Sequence, residues 1–150
     1  MNAESIVEIL IVEDNEQDLA LAQRALRKAN VTNRIHVARD GEEALEYLFC
    51  EGQFVGRKME DGPKVILLDL KLPKIDGLEV LQKIKSDART KFIPVVVLTS
   101  SKEQSDVVET YNLGVNSYIV KPVNFESFAK CVQELGVYWV QLNQPPKMEG

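Results

Sequence analysis

Four short apolar runs, each closed by polar residues, set the pattern of this chain. Ile9-Leu10-Ile11-Val12 ends at Glu13-Asp14, and Val65-Ile66-Leu67-Leu68 ends at Asp69. Val95-Val96-Val97-Leu98 ends at Thr99-Ser100, and Tyr118-Ile119-Val120 ends at Lys121-Pro122. Continuous apolar runs of this length read as strands of a parallel sheet covered on both faces. Between them the apolar spacing becomes helical. After a first strand over Val7–Val12, Leu19, Ala22, Leu26 and Ala29 mark one face of a helix over Glu16–Ala29, with Asn15 as its cap. A short second strand, Ile35–Ala38, leads to Asp40-Gly41-Glu42-Glu43, which has the cap-and-third-residue signature of a helix start. Ala44, Leu45 and Leu48 are that helix's apolar side.

A polar, glycine-containing connection then runs from Glu51 to Pro63. It exceeds the usual length for such a link, and the spacing favours a tolerated surface insertion over a functional loop. Asp76 is expected to cap a third helix with inner face Leu78, Leu81 and Ile84. Pro94 opens the fourth strand, where a missing N–H is tolerated. Gln104–Leu113 reads as a helix ended by Gly114, and Ser117–Val120 as the fifth strand. Phe125, Phe128, Val132, Leu135 and Trp139 recur at helical spacing in a last helix reaching Leu142, which Pro145-Pro146 stops. Strand and helix thus alternate five times. The expected architecture is α/β, a doubly wound parallel (βα)5 sheet of flavodoxin-like order 2-1-3-4-5. It forms a single domain over residues 6–142, with an extended C-terminal helix and a flexible tail over 143–150.

Composition narrows the class. The chain has 150 residues, 45% hydrophobic and 27% charged, with net charge −5. That is ordinary for one globular domain. There is no basic block, so nucleic-acid binding lacks electrostatic support. No apolar run approaches the roughly 20 residues of a membrane span. Met1-Asn2-Ala3-Glu4-Ser5 has no signal-peptide character, and Cys50 and Cys131 form no CxxC pair. Reduced thiols and a cytoplasmic location are the expectation.

Open α/β sheets bind ligands at the carboxyl ends of their strands, here at the switch point between strands one and three. Glu13, Asp14 and Asp69 should flank that crevice, with Thr99 and Lys121 on the same edge. Two unit charges about 4 Å apart repel by roughly 4 kcal/mol at an effective dielectric near 20. A group of carboxylates therefore takes up a proton or a cation. Oxygen ligands alone suit Mg²⁺, and with no cysteine nearby and His36 on strand two, zinc is a poor candidate. Lys121 offers a phosphate its positive charge, and Thr99 offers a hydroxyl. Asp69 is the expected nucleophile, a carboxylate that forms an acyl phosphate. A solitary His36, with no evident local partner, reads as a packed or surface residue.

These stretches resemble the receiver domain of bacterial two-component response regulators. The likeness is carried by Ile11-Val12-Glu13-Asp14-Asn15, Leu67-Leu68-Asp69-Leu70-Lys71-Leu72-Pro73, Asp76-Gly77, Val97-Leu98-Thr99-Ser100 and Tyr118-Ile119-Val120-Lys121-Pro122. The resemblance implies that Asp69 accepts a phosphoryl group from a sensor histidine kinase or phosphorelay protein. It implies Asp14 as a direct Mg²⁺ ligand, Glu13 holding the metal through water, and the Lys71 carbonyl completing the set. Thr99 and Tyr118 would be the switch residues, Lys121 the partner of the phosphoryl group, and Lys121-Pro122 a cis bond. Lys71 and Ser101 would tune the lifetime of the acyl phosphate. Glu13 departs from the Asp that many receivers carry. The long connection and Gly136-Val137-Tyr138-Trp139-Val140-Gln141-Leu142 are similar to phytochrome-associated stand-alone regulators, which implies a phytochrome as a possible kinase partner.

With no second domain expected after residue 142, output would pass through contact with a downstream protein. Val137, Tyr138 and Val140 lie off the helical stripe, so the C-terminal helix region is expected to support a homodimer. Three other readings fit less well. A phosphatase of the haloacid-dehalogenase type wants an Asp where Lys71 stands. A flavin binder wants neutral donors where Glu13, Asp14 and Glu16 stand. A docking module without phosphorylation leaves the full set of Asp14, Asp69, Thr99 and Lys121 unexplained.

Overall fold

The structure is a computed structural model that describes residues 9–28, 35–101, 103–121 and 124–135. Its elements in chain order are β1 (Ile9–Val12), α1 (Glu16–Lys28), β2 (Ile35–Ala38), α2 (Gly41–Leu48), β3 (Val65–Leu68), α3 (Gly77–Ser86), β4 (Val95–Thr99), α4 (Gln104–Asn112), β5 (Ser117–Val120) and α5 (Phe125–Leu135). All strand pairs are parallel, in the order β2-β1-β3-β4-β5. The expected fold class and strand order are what the chain adopts.

Each central strand feeds two cores, because successive side chains point to opposite faces. Leu10, Val12, Ile66, Leu68, Val95 and Val97 pack with Ala44, Leu45 and Leu48 of α2 and Val80, Leu81 and Ile84 of α3. Ile9, Ile11, Val65, Leu67, Val96 and Leu98 face the other way, onto Leu19, Ala22, Ala25 and Leu26 of α1 and Ala129 of α5. That two-sided burial is why the runs carry no polar alternation. The side chains at 128, 132 and 135, residue Ala29 and everything after 135 lie outside the described residues, so the expected α5 stripe, its extension to Leu142 and the tail fall there.

Local signals account for most element boundaries. Asn15 Oδ1 accepts from the Asp18 N–H at 2.9 Å and caps α1. Asp40 Oδ1 accepts from the Glu43 N–H at 2.7 Å, while the Glu43 carboxylate accepts from the N–H of Arg39 at 3.3 Å. The box is thus closed one residue earlier than its usual form. One expectation for α3 fails: Asp76 holds the N-cap position without a side-chain cap bond. The expected inner face is met, with Leu81 and Ile84 buried and Leu78 packed partly buried against the same core, and Val80 joins them. The helix begins close to the segment that follows β3: a Cβ on Gly77 would lie 2.4 Å from both the Asp69 carbonyl oxygen and the Leu70 Cα.

The 51–63 connection is tied down. It forms two 3-10 turns, Gly52–Phe54 and Met59–Asp61. Phe54 stands edge-on to His36 and Tyr47, with ring centroids 5.3 and 5.1 Å away. His36 itself stacks on Tyr47 at 4.0 Å. Arg57 covers the Tyr47 ring at 3.7 Å and donates to the Tyr47 and Asp61 carbonyls. His36 is therefore a packed residue, as expected, but the expectation that it lacks partners is wrong, since Glu43 also lies 3.5 Å from its Nε2. Burial pushes the imidazole below its usual pKa and keeps it neutral near neutrality. Arg57→Ala is expected to cost about 1–2 kcal/mol in urea unfolding, from lost stacking and carbonyl contacts, and Arg57→Lys should not restore it. Val55→Ser, at a site 75% exposed, should leave the midpoint within about 0.5 kcal/mol.

Candidate functional site

The residues closing the strands are held in place by the sheet itself. The N–H of Glu13 donates to the Ala38 carbonyl at 3.0 Å, that of Asp69 to the Val12 carbonyl at 3.0 Å, and that of Lys121 to the Thr99 carbonyl at 2.8 Å. The ladders thus run one residue past the strands, and their next side chains meet over the sheet edge.

Glu13, Asp14 and Asp69 each place a carboxylate oxygen within 4.8 Å of the others. Glu13 and Asp69 are buried, whereas Asp14 is exposed. The ammonium of Lys121 bridges them, 2.7 Å from Glu13 Oε1 and 3.0 Å from Asp69 Oδ2. It also contacts Asp18 Oδ2 of α1 at 2.7 Å. Asp69 Oδ1 accepts from the N–H of Lys71 at 3.1 Å, and Glu13 Oε2 from the N–H of Asn15 at 3.2 Å. Both buried carboxylates are oriented by backbone as well as by charge.

Thr99 is fully buried, and its Oγ1 accepts from the Ser101 N–H at 3.4 Å. The Tyr118 hydroxyl donates to the Ser101 carbonyl at 3.0 Å. Ser101 in turn pairs its own hydroxyl with Asp106 in the first turn of α4. The site residues read from the sequence thus gather into a carboxylate–ammonium cluster and an adjoining Thr99–Ser101–Tyr118 chain. Lys71 meets Asp69 through its backbone N–H. Pro122 lies outside the described residues, so the expected cis bond does too. Asp18 was missed. Its one signal was an acid in the first turn of α1, which residue type explains by the helix dipole alone.

Electrostatics follow the packing. Glu13 is pushed up to about 7, first by loss of solvent and then by Asp69, against the pull of the Lys121 hydrogen bond. For Lys121 burial works against the charge, but the hydrogen bonds it donates to Asp18, Glu13 and Asp69 outweigh it and raise the pKa above the usual lysine value. The ammonium stays charged, and the raised Glu13 pKa lets a proton relieve part of the surplus carboxylate charge as pH falls through about 7. The donor set is all oxygen, clustered, and open to solvent at Asp14. That chemistry fits a hard divalent cation which keeps part of its water shell.

A five-stranded parallel sheet of this order, with acids and an amine at its switch point, defines a doubly wound α/β domain built for chemistry at its strand ends. Residues 9–133 match the response regulator receiver domain model. The chain belongs to that family, a signalling domain rather than a classical enzyme. It is 44% identical over 147 residues to the probable methanogenesis regulatory protein FilR2 of Methanothrix harundinacea, covering 97% of this chain and 92% of that protein. It is 40% identical over 133 residues to response regulator Rcp1 of Synechocystis, covering 89% and 88%. The Mn²⁺-bound form of Rcp1 superposes with TM-score 0.81 at 38% identity, covering 93% of this chain and 99% of that one. The phosphorylated cyanobacterial phytochrome response regulator RcpA superposes with TM-score 0.82 at 40% identity, covering 95% and 100%. The narrower likeness to phytochrome response regulators is thus met among its relatives. No helix among the described residues is long and apolar enough to cross a membrane.

The raised Glu13 pKa makes stability depend on pH. Between the ordinary value of 4.5 and about 7 the folded chain holds a proton that the unfolded chain has lost. The Glu13 contribution is therefore full below about pH 4.5 and is lost as pH rises through about 7. In chelator-treated buffer, Glu13→Gln should gain on the parent by of order 1–3 kcal/mol between pH 5 and pH 8 in thermal unfolding. A difference that does not change with pH would contradict this.

Proposed function

We propose that this chain is a phosphoacceptor switch. Asp69 takes a phosphoryl group from a phosphohistidine on a sensor histidine kinase or phosphorelay protein. A carboxylate oxygen of Asp69 attacks phosphorus, the P–N bond breaks, and the imidazole leaves. The observation that carries this reading is the Lys121 ammonium 3.0 Å from Asp69 Oδ2, beside a carboxylate cluster that includes Asp69 itself. Asp14, Glu13 and Asp69, with the Lys71 carbonyl, would hold Mg²⁺. When bound, it would neutralise charge on the phosphoryl oxygens and fix in-line geometry. A bound cation would favour the ionised form of Glu13, against the burial that raises its pKa.

Lys121 and Thr99 are the groups that receive the new phosphoryl oxygens, one by charge and one by its hydroxyl. Tyr118 responds through Ser101, whose N–H and carbonyl bond Thr99 and Tyr118 respectively. The affected surface would contact a downstream protein, with a homodimer through the C-terminal helix region. The likeness to RcpA favours a phytochrome as the kinase partner. Loss of the phosphoryl group would be catalysed by the chain itself, with a cytoplasmic location throughout.

Intact-mass measurement after incubation with acetyl phosphate tests this. A single added phosphoryl group should appear with Mg²⁺, disappear with chelator, and be absent in Asp69→Asn. Labelling that survives Asp69→Asn would overturn the assignment.

A further inference from the structure

Lys121 touches one carboxylate more than the proposed chemistry needs. Its ammonium has three protons, and three carboxylates take them: Glu13 at 2.7 Å, Asp18 at 2.7 Å and Asp69 at 3.0 Å. Glu13 and Asp69 belong to the oxygen cluster that suits a cation, and Asp18 does not. It sits in the first turn of α1, with its backbone N–H fixed on the Asn15 cap at 2.9 Å. An acid in a first turn is favourable in itself, since it faces the positive end of the helix. That alone does not aim it at an ammonium from β5, a hundred residues along the chain, whose side chain is only 11% exposed.

A dication beside Glu13 and Asp69 competes with Lys121 for both and repels it. Held by those two alone, the ammonium would either keep them from the cation or leave the site with all its bonds broken. We propose that Asp18 is a positioning residue for Lys121. It gives the ammonium a partner outside the cation cluster, so that Glu13 and Asp69 are freed for Mg²⁺ while the amine stays beside Asp69. This inference rests on the phosphoacceptor reading and assigns Asp18 a role within it. The partners of Lys121 divide accordingly: α1 supplies the tether, while the ends of β1 and β3 supply the acids to be released.

A double-mutant cycle on Mg²⁺ affinity separates this role from a bare charge effect. Calorimetric Mg²⁺ titrations would use the full chain without phosphodonor, as the parent, Asp18→Asn, Lys121→Ala and the double variant. Lys121→Met serves as a second amine-free background, and thermal unfolding checks each protein. With Lys121 present, Asp18→Asn should weaken Mg²⁺ binding by about fivefold, and Asp18→Glu should recover part of the loss. Without the amine, Asp18→Asn should change the affinity by less than about twofold. An equal loss in both backgrounds would show Asp18 acting only through its field and would overturn the proposal. So would an unchanged affinity in the presence of Lys121. A parent that binds no Mg²⁺ overturns both readings. A parent that binds Mg²⁺ and is labelled, with no Asp18–Lys121 coupling, overturns this one alone.

Discussion

One buried ammonium holds the working edge of this domain together. Lys121, from the end of β5, lies within 3.0 Å of acids carried by β1, β3 and α1. The backbones of Glu13 and Asp69 are each held by a ladder hydrogen bond, which keeps the two acids on neighbouring strand ends. The charge of Lys121 balances them, and burial raises the Glu13 pKa so that this carboxyl takes up a proton more readily. The sheet thus builds an imbalance into its own edge. A cation and a phosphoryl group would bring opposite charges to that edge, so each would offset part of what the other adds.

Much of this was legible in the chain. Apolar runs without polar alternation announce strands buried on both faces, and the split of Leu10 and Val12 from Ile9 and Ile11 between two cores is that pattern realised. The four polar punctuations gave the site edge, because a strand end is fixed in space once the sheet order is known. What was not legible came from contacts between elements. Asp18 lies on a helix, and no strand-end rule reaches it. The stack on His36 comes from Tyr47 of α2 and Phe54 of the insertion, so reading β2 alone showed no partner. Asp76 holds the N-cap position of α3 as its residue type suggests, but its side chain makes no cap bond, which residue type alone does not show.

The insertion shows how a polar segment acquires order without a core of its own. Few of its residues are apolar, and Val55 is exposed. Arg57 supplies what is missing by combining a planar cation over Tyr47 with hydrogen bonds to two carbonyls. A lysine has the charge but not the plane. Phe54 of the insertion packs against the same core cluster as Ala44, Leu45 and Leu48 of α2.

The proposed switch has an energy scale that the site can meet. Moving a two-state surface from 1:99 to 99:1 takes about 5.5 kcal/mol of differential stabilisation. A hydrogen bond to a charged group contributes roughly 1.5–3 kcal/mol. Lys121 and Thr99 together would therefore supply about 3–6 kcal/mol, a range that reaches the full shift only at its upper end. The Thr99 hydroxyl accepts from Ser101 and still has its own proton to give. Drawing that hydroxyl toward new charge pulls on the Ser101 N–H, while the same residue's carbonyl holds Tyr118 and its hydroxyl holds Asp106 of α4. One residue's three polar groups thus join a buried threonine to a half-exposed tyrosine and to a helix start. A displacement at the strand end must therefore either break one of those bonds or carry β5 and α4 with it.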